Sequence, residues 1–218
     1  LHAYLDRIGI DAPAGPGLDA LMRLQLAHLQ AVPFENLAIF AGRSVTADNN
    51  WTFSKVVDQM RGGWCFELNG AFAQLLEAVG FTVHRLAAAV LLGGPNQVVD
   101  HLVLEVVLDQ PYLVEVGFGD NAPIVPLPLQ AVGPIETRCG TFEFLNSPQG
   151  TTLAQLVDGV PEARYRFKRV NHQPRDFEPV SMRLQSDPAL HWSTSPFATR
   201  LLDDQGTRII LTRDRLKT

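Results

Sequence analysis

RGGWCFELNGAFAQLLEAVG–FTVHRLAAAVLL, residues 61–92, changes its period at one point. Up to Gly80, Leu68, Phe72, Leu75, Leu76 and Val79 form one apolar stripe at helical spacing, and Gly80 supplies a C-cap. From Phe81 onward the texture is short β-rich runs: FTVHRLAAAVLL, HLVLEVVL, PYLVEVGF and TFEFL, separated by Gly, Pro and Asn. Upstream, Leu18, Leu21, Met22, Leu24, Leu26 and Leu29 predict a helix that Pro33 ends, and a second helix is expected from about Thr52 to Met60. Residues 164–169, RYRFKR, read as one more strand. DFEPVSMRLQSDP predicts a short helix ending before Pro188, and RIILTRD half of a hairpin. The prolines of residues 123–134 suggest an extended loop at a sheet edge. The expected fold class is α+β: an all-helical part over residues 1–80, a mostly β part over 81–175, and a final piece over 176–218.

The same stretch raises a chemical question, because one of only two cysteines, Cys65, opens the helix directly after Gly62, Gly63 and Trp64. Its spacing puts the thiol on the inward stripe, where unpaired N–H groups and the positive end of the helix dipole favour a thiolate. A pair of glycines just upstream lets another backbone or a substrate approach closely. A buried, inert cysteine is the plainer interpretation of Cys65 taken alone.

A thiolate nucleophile needs a base, and His101 heads the apolar strand HLVLEVVL. A carboxylate then sits inside YLVEVGFG: Glu115, costly to bury unless paired. Taken singly, His101 also fits a surface strand end and Glu115 a solvent-facing edge. Thiol, imidazole and carboxylate together make a triad in which the base takes the proton and the acid orients the base. Register tests the idea. A two-residue turn at Asp109-Gln110 would set His101 and Glu115 on opposite faces of their hairpin. A three-residue loop such as Asp109–Pro111, or a bulge, restores the same face. The triad therefore predicts an irregular hairpin.

Composition narrows the remaining classes. The 218 residues are 46% hydrophobic and 19% charged with a formal net charge of -5, an ordinary globular balance without the Lys/Arg clusters that nucleic acid requires. The longest apolar run, residues 86–92, is far too short to span a bilayer, and no secretory leader pattern opens the chain. Two cysteines are too few for a disulfide framework, so a reduced, cytoplasmic setting is expected. Cys65 and Cys139 are far apart in sequence and no His-x3-His spacing accompanies them, so no metal is expected. No phosphate loop or dinucleotide fingerprint is present. Oligomeric state is not legible. The chain opens on Leu rather than Met.

VPFENL at 32–37, RGGWCFELN at 61–69, His101 at a strand head, YLVEVGFG at 112–119 and, more weakly, Asp176–Glu178 together resemble the arylamine N-acetyltransferase family. The resemblance implies a helical bundle, an antiparallel β-barrel and an α/β lid, on a catalytic core related to papain-like and transglutaminase-like cysteine enzymes. It implies acetyl-coenzyme A as donor and an arylamine, arylhydroxylamine or hydrazine as acceptor, in a ping-pong acetyl-cysteine mechanism. By position, Cys65 matches the nucleophile and His101 the catalytic histidine. Phe34 and Phe118 match pocket-lining aromatics, and Gly117 and Gly119 the loop that admits the pantetheine arm. Arg61, Glu35 and Asn36 match a polar cluster holding the active-site helix, with a buried Arg–Glu pair expected. Ser193, Thr194 and Ser195 are weak candidates for coenzyme A contacts. The chain departs from the family pattern in two ways. Glu115 stands where the family usually has Asp, and Thr218 ends the chain before most members end, which implies a partial lid.

Two other classes compete. A cysteine hydrolase, transglutaminase-like enzyme or amide synthase would use the same triad, and the ratio of free acetate to acetylated amine separates hydrolysis from transfer. A binding protein with a decayed site would show an ordinary thiol in iodoacetamide labelling across pH.

Overall fold

The computed structural model describes residues 1–119 and 122–218. Its helices begin with α1 (His2–Ile8), α2 (Leu18–Ala31) and α3 (Leu37–Phe40). They continue with α4 (Asn49–Phe53), which runs into a π-helical turn, Ser54–Asp58, and with α5 (Cys65–Val79). The helix expected from Thr52 starts three residues earlier, because the Asp48 side chain accepts the Trp51 N–H at 3.0 Å and caps it. Gly80 closes α5 in the left-handed region at φ 106, as its position predicted. Residues 1–80 are not all helical, however. Phe34–Glu35 forms a strand, β1, so the PFEN segment belongs to a sheet rather than to a turn between helices.

Eight antiparallel strands make up the main sheet: β2 (Thr82–Val90), β3 (His101–Val107), β4 (Pro111–Val114), β5 (Leu127–Pro128), β6 (Ile135–Thr137), β7 (Gly140–Ser147), β8 (Gly150–Val157) and β9 (Val160–His172). Their order is β5-β4-β3-β2-β9-β8-β7-β6. The sheet curls into a near-closed barrel, since one buried cluster joins Leu113 and Leu127 near one edge to Phe142 and Leu153 near the other. The proline-rich stretch contributes only the two-residue edge strand β5, where a missing N–H costs least.

The opposite face of β2–β4 packs on α5, which lies across β2 and β3. Leu102, Leu104, Val106 and Val114 join Phe66, Leu68, Phe72 and Leu76 in a second, larger core. Strand β3 is therefore buried on both faces, which explains why HLVLEVV carries almost no polar alternation.

After β9 a 3-10 turn (Pro174–Phe177) leads into α6 (Glu178–Ser186) and α7 (His191–Thr194). A small sheet then forms from β10 (Phe197–Leu201), β11 (Arg208–Thr212) and β12 (Leu216–Lys217), with β1 as its fourth strand in the order β1-β10-β11-β12. The C-terminal segment thus returns to the PFEN segment and closes over the start of α5. No helix among the described residues is long and apolar enough to cross a membrane.

Candidate active site

The start of α5 is held from three sides. Gly63 forms a parallel bridge with Phe34, and its carbonyl accepts the Glu35 N–H at 2.8 Å. A Cβ on Gly62 would collide with the Pro33 carbonyl, so the Gly-Gly step permits the close backbone approach its sequence suggested. The Glu67 carboxylate reaches back to the Trp64 N–H at 3.2 Å and pairs with Lys55 Nζ at 2.7 and 2.9 Å, all of it buried. Burial raises the Glu67 pKa to about 7, with the Lys55 charge and hydrogen bond pulling the other way. This is the buried ion pair at the helix start, and it replaces the expected Arg–Glu pair. Arg61 is only half-buried and, among the described residues, makes no ion pair with Glu35. The Glu35 carboxylate instead accepts the Leu37 N–H.

Asn36 acts on a different element from the one expected. Its Nδ2 donates to the carbonyls of Trp192 and Ser195 at 2.7 and 2.9 Å, and its Oδ1 accepts the Phe197 N–H at 2.9 Å. It ties β1 to the α7–β10 segment. The hydroxyls of Ser193 and Thr194 are turned onto the Leu190 carbonyl of their own turn.

The hairpin between β3 and β4 has the irregularity the triad required. Its register pairs Val107 with Pro111 and Leu104 with Val114, so the loop is the three residues 108–110, one position earlier than the example considered. Extended by one residue, this register places Glu115 across from Val103, on the face of His101. His101 Nε2 lies 2.6 Å from Glu115 Oε2, with both side chains fully buried. The bond to Glu115 leaves Nδ1 as the ring nitrogen available to the thiol, and His101 and Cys65 line the same cavity. Burial by itself would lower the His101 pKa. The Glu115 charge, the nearby Cys65 and the hydrogen bond to Glu115 outweigh it and raise the value to about 10.

Three further groups hold Glu115. Oε1 accepts Asn69 Nδ2 and the Gly117 N–H, each at 2.7 Å, while Gln25 Nε2 donates to the Glu115 carbonyl at 3.0 Å. A Cβ on Gly117 would stand 2.8 Å from the Cys65 Cα and 2.9 Å from Asn69 Nδ2, so glycine is required where this loop crosses the helix. Phe118 packs on His101 at 4.9 Å between ring centroids and on Tyr165 at 4.9 Å, combining core and pocket roles.

Cys65 and His101 open into a cavity of about 360 Å³. Phe34, Gly117, Phe118 and Gly119 line it, and so do Asp100, His191, Trp192, Phe197 and Thr199. Burial lowers the His191 pKa, so its ring is neutral near pH 7. The Trp192–Phe197 wall had one available signal, aromatic residues flanking a Ser/Thr/Pro run, but its place beside Phe34 depends on β1–β10 pairing.

A family model described as N-acetyltransferase matches residues 17–218. The arylamine N-acetyltransferase of Mycolicibacterium smegmatis is 34% identical over 213 residues, covering 94% of this chain and 77% of its own. The chain belongs to the arylamine N-acetyltransferase family. As a member it is an acyltransferase. The arylamine N-acetyltransferase / N-hydroxyarylamine O-acetyltransferase of Salmonella typhimurium is 36% identical over 212 residues, covering 93% of this chain and 71% of its own. Among solved structures, Mycobacterium marinum arylamine N-acetyltransferase in complex with CoA aligns with a TM-score of 0.91 at 32% identity, covering 99% of this chain and 82% of that one. The Bacillus cereus NAT3 arylamine N-acetyltransferase, described as having a unique Cys-His-Glu catalytic triad, shares the fold with a TM-score of 0.88. It is 23% identical, with 99% of this chain and 86% of that one covered.

Proposed function

We propose that this chain moves the acetyl group of acetyl-coenzyme A to the nitrogen of an arylamine, arylhydroxylamine or hydrazine through a thioester on Cys65. The observation that carries the proposal is the buried contact of 2.6 Å between His101 Nε2 and Glu115 Oε2, with His101 lining the same cavity as Cys65 at the head of α5. The coenzyme complex of the M. marinum relative supports the donor, and the names of the relatives support the acceptor class.

His101, oriented by Glu115, takes the Cys65 proton to give a thiolate–imidazolium pair. The thiolate attacks the thioester carbonyl, and N–H groups of the first turn of α5 face the oxyanion. The carbon–sulfur bond to coenzyme A breaks, His101 returns a proton to the leaving thiolate, and acetyl-Cys65 remains. A neutral aromatic amine then attacks the acetyl carbon, gives its proton to His101, and expels the Cys65 thiolate. Phe34 and Phe118 offer a flat ring apolar and edge contacts. In this reading residues 1–80 carry the nucleophile, 81–175 the base and its carboxylate, and 176–218 the segment that closes the cavity. A reducing cytoplasm keeps such a thiol free. The intact hydrogen bonding of Glu115 supports a working site over a decayed one.

Intact-mass and peptide analysis after incubation with acetyl-coenzyme A alone should find one acetyl group on Cys65. Acetyl transfer that needs both substrates present together would defeat the ping-pong scheme.

A further inference from the structure

Among the described residues, one acidic residue lines the reacting thiol's cavity. Asp100, the residue before His101, lines it, and among the described residues no second carboxylate and no Lys or Arg does. Much of the wall is aromatic or aliphatic, and the neutral His191 adds no positive charge near pH 7. Asp100 is anchored there. Its Oδ1 accepts the Val90 N–H at 2.8 Å and its Oδ2 accepts Asn96 Nδ2 at 2.8 Å, so the side chain is tied to the end of β2 and to the loop that follows. Each oxygen keeps a lone pair free for a ligand. Burial raises its pKa, while the Val90 N–H bond, His101, Asn96 and Arg183 oppose that rise. The Arg183 guanidinium donates to the Val99 carbonyl at 2.9 Å and does not line the cavity.

We infer that Asp100 sets the charge selectivity of the acceptor site, favouring aromatic amines and hydrazines with neutral or cationic ring substituents over carboxylated ones. The inference rests on the acetyl-transfer reading above and goes further by naming the acceptor subclass. A cavity of about 360 Å³ keeps every substituent on a bound ring within Coulomb range of Asp100. An anionic substituent entering it would leave water for an apolar wall and meet a fixed like charge at Asp100. A cationic substituent would meet a carboxylate already held in place.

The series 4-aminobenzoate, 4-aminobenzamide and 4-aminobenzamidine tests this, because the three para groups are planar and similar in shape but carry negative, zero and positive charge. The kcat/KM of each acceptor is measured with wild type, Asp100→Asn and Asp100→Ser. Intrinsic differences in amine reactivity cancel when the amidine-to-benzoate ratio of a variant is divided by that of wild type. That ratio should fall about tenfold or more in both variants, which corresponds to ~1.4 kcal/mol. A uniform loss for all three acceptors with the ratio unchanged would mean that Asp100 only braces its loop, and would overturn the inference. If neither variant folds, wild type decides: 4-aminobenzamidine should shield Cys65 from iodoacetamide at a lower concentration than 4-aminobenzoate, and equal or reversed protection is the contrary result. Protection of Cys65 from iodoacetamide by the same compounds reads occupancy of the cavity without any acetyl transfer. Failure of catalysis and failure of selectivity are then separate outcomes.

Discussion

Asn69 stands one helical turn beyond Cys65 and donates from Nδ2 to Glu115 Oε1 at 2.7 Å, so the helix that carries the thiol also grips the carboxylate that steers the histidine. The same amide donates to the Leu102 carbonyl at 2.7 Å and accepts the Val116 N–H at 3.1 Å. Helix α5, strand β3 and the loop after β4 are thereby locked together at a single side chain. Asn69→Ala leaves a buried carboxylate oxygen, a carbonyl and an N–H short of a partner, at roughly 1–3 kcal/mol for the first such group alone. Urea unfolding should report a loss of at least that size, and the acetylation rate of Cys65 should fall with it. A variant as stable as wild type would show that water replaces the amide without cost.

Glu115→Gln should nearly abolish turnover. The glutamine keeps the size of the side chain, but an amide N–H facing His101 Nε2 makes that nitrogen an acceptor. The ring proton moves to Nδ1, which faces the thiol, and the base is lost. A decrease of roughly 10³-fold or more in kcat is expected from the analogous change in a hydrolase triad. Unchanged turnover would mean that another group steers His101.

The Lys55–Glu67 pair holds the turn immediately before Cys65, and both side chains are almost completely buried. Lys55→Met should cost about 3–5 kcal/mol, because it strands a buried charge. The double change Lys55→Met with Glu67→Gln should recover much of that loss, since the amide still accepts the Trp64 N–H. Chemical denaturation of the two single variants and the double variant checks the ordering. A double variant less stable than Lys55→Met would contradict it.

Acid should weaken the fold through His28. Its Nδ1 lies 2.9 Å from the Tyr4 hydroxyl in the core of the helical part, and burial, helped by the Arg7 charge, lowers its pKa to about 3. An unfolded histidine titrates near pH 6.5. The folded value is the lower one, so this contribution is fully present above pH 6.5 and is lost as pH falls towards 3. Over that window the unfolded chain binds about one more proton, a slope of ~1.4 kcal/mol per pH unit. In His28→Gln the dependence of unfolding free energy on pH between 6 and 4 should be shallower by about that amount. An equal slope in both proteins would assign the acid sensitivity elsewhere.

Helix α5, its glycine cap, the run of strands after Phe81 and the break at Pro33 were all legible from residues 1–218, because each follows from neighbours within a few positions. The chemical types at Cys65, His101 and Glu115 were legible for a related reason: a thiol at a helix head and a carboxylate in an apolar strand are locally costly choices. Pairing across the chain was not legible in the same way. That Phe34–Glu35 is a strand follows from its partner β10, more than 160 residues later. That Lys55 rather than Arg61 meets a buried glutamate depends on the π-helical turn at Ser54–Asp58 pointing the amine inward. Asp100, His191 and Trp192 reach one cavity only after the last sheet folds back over α5. Backbone preference is a short-range energy and can be read a few residues at a time. Which charges and rings finally face one another is set by closing long loops around a shared core, and no local pattern encodes that choice.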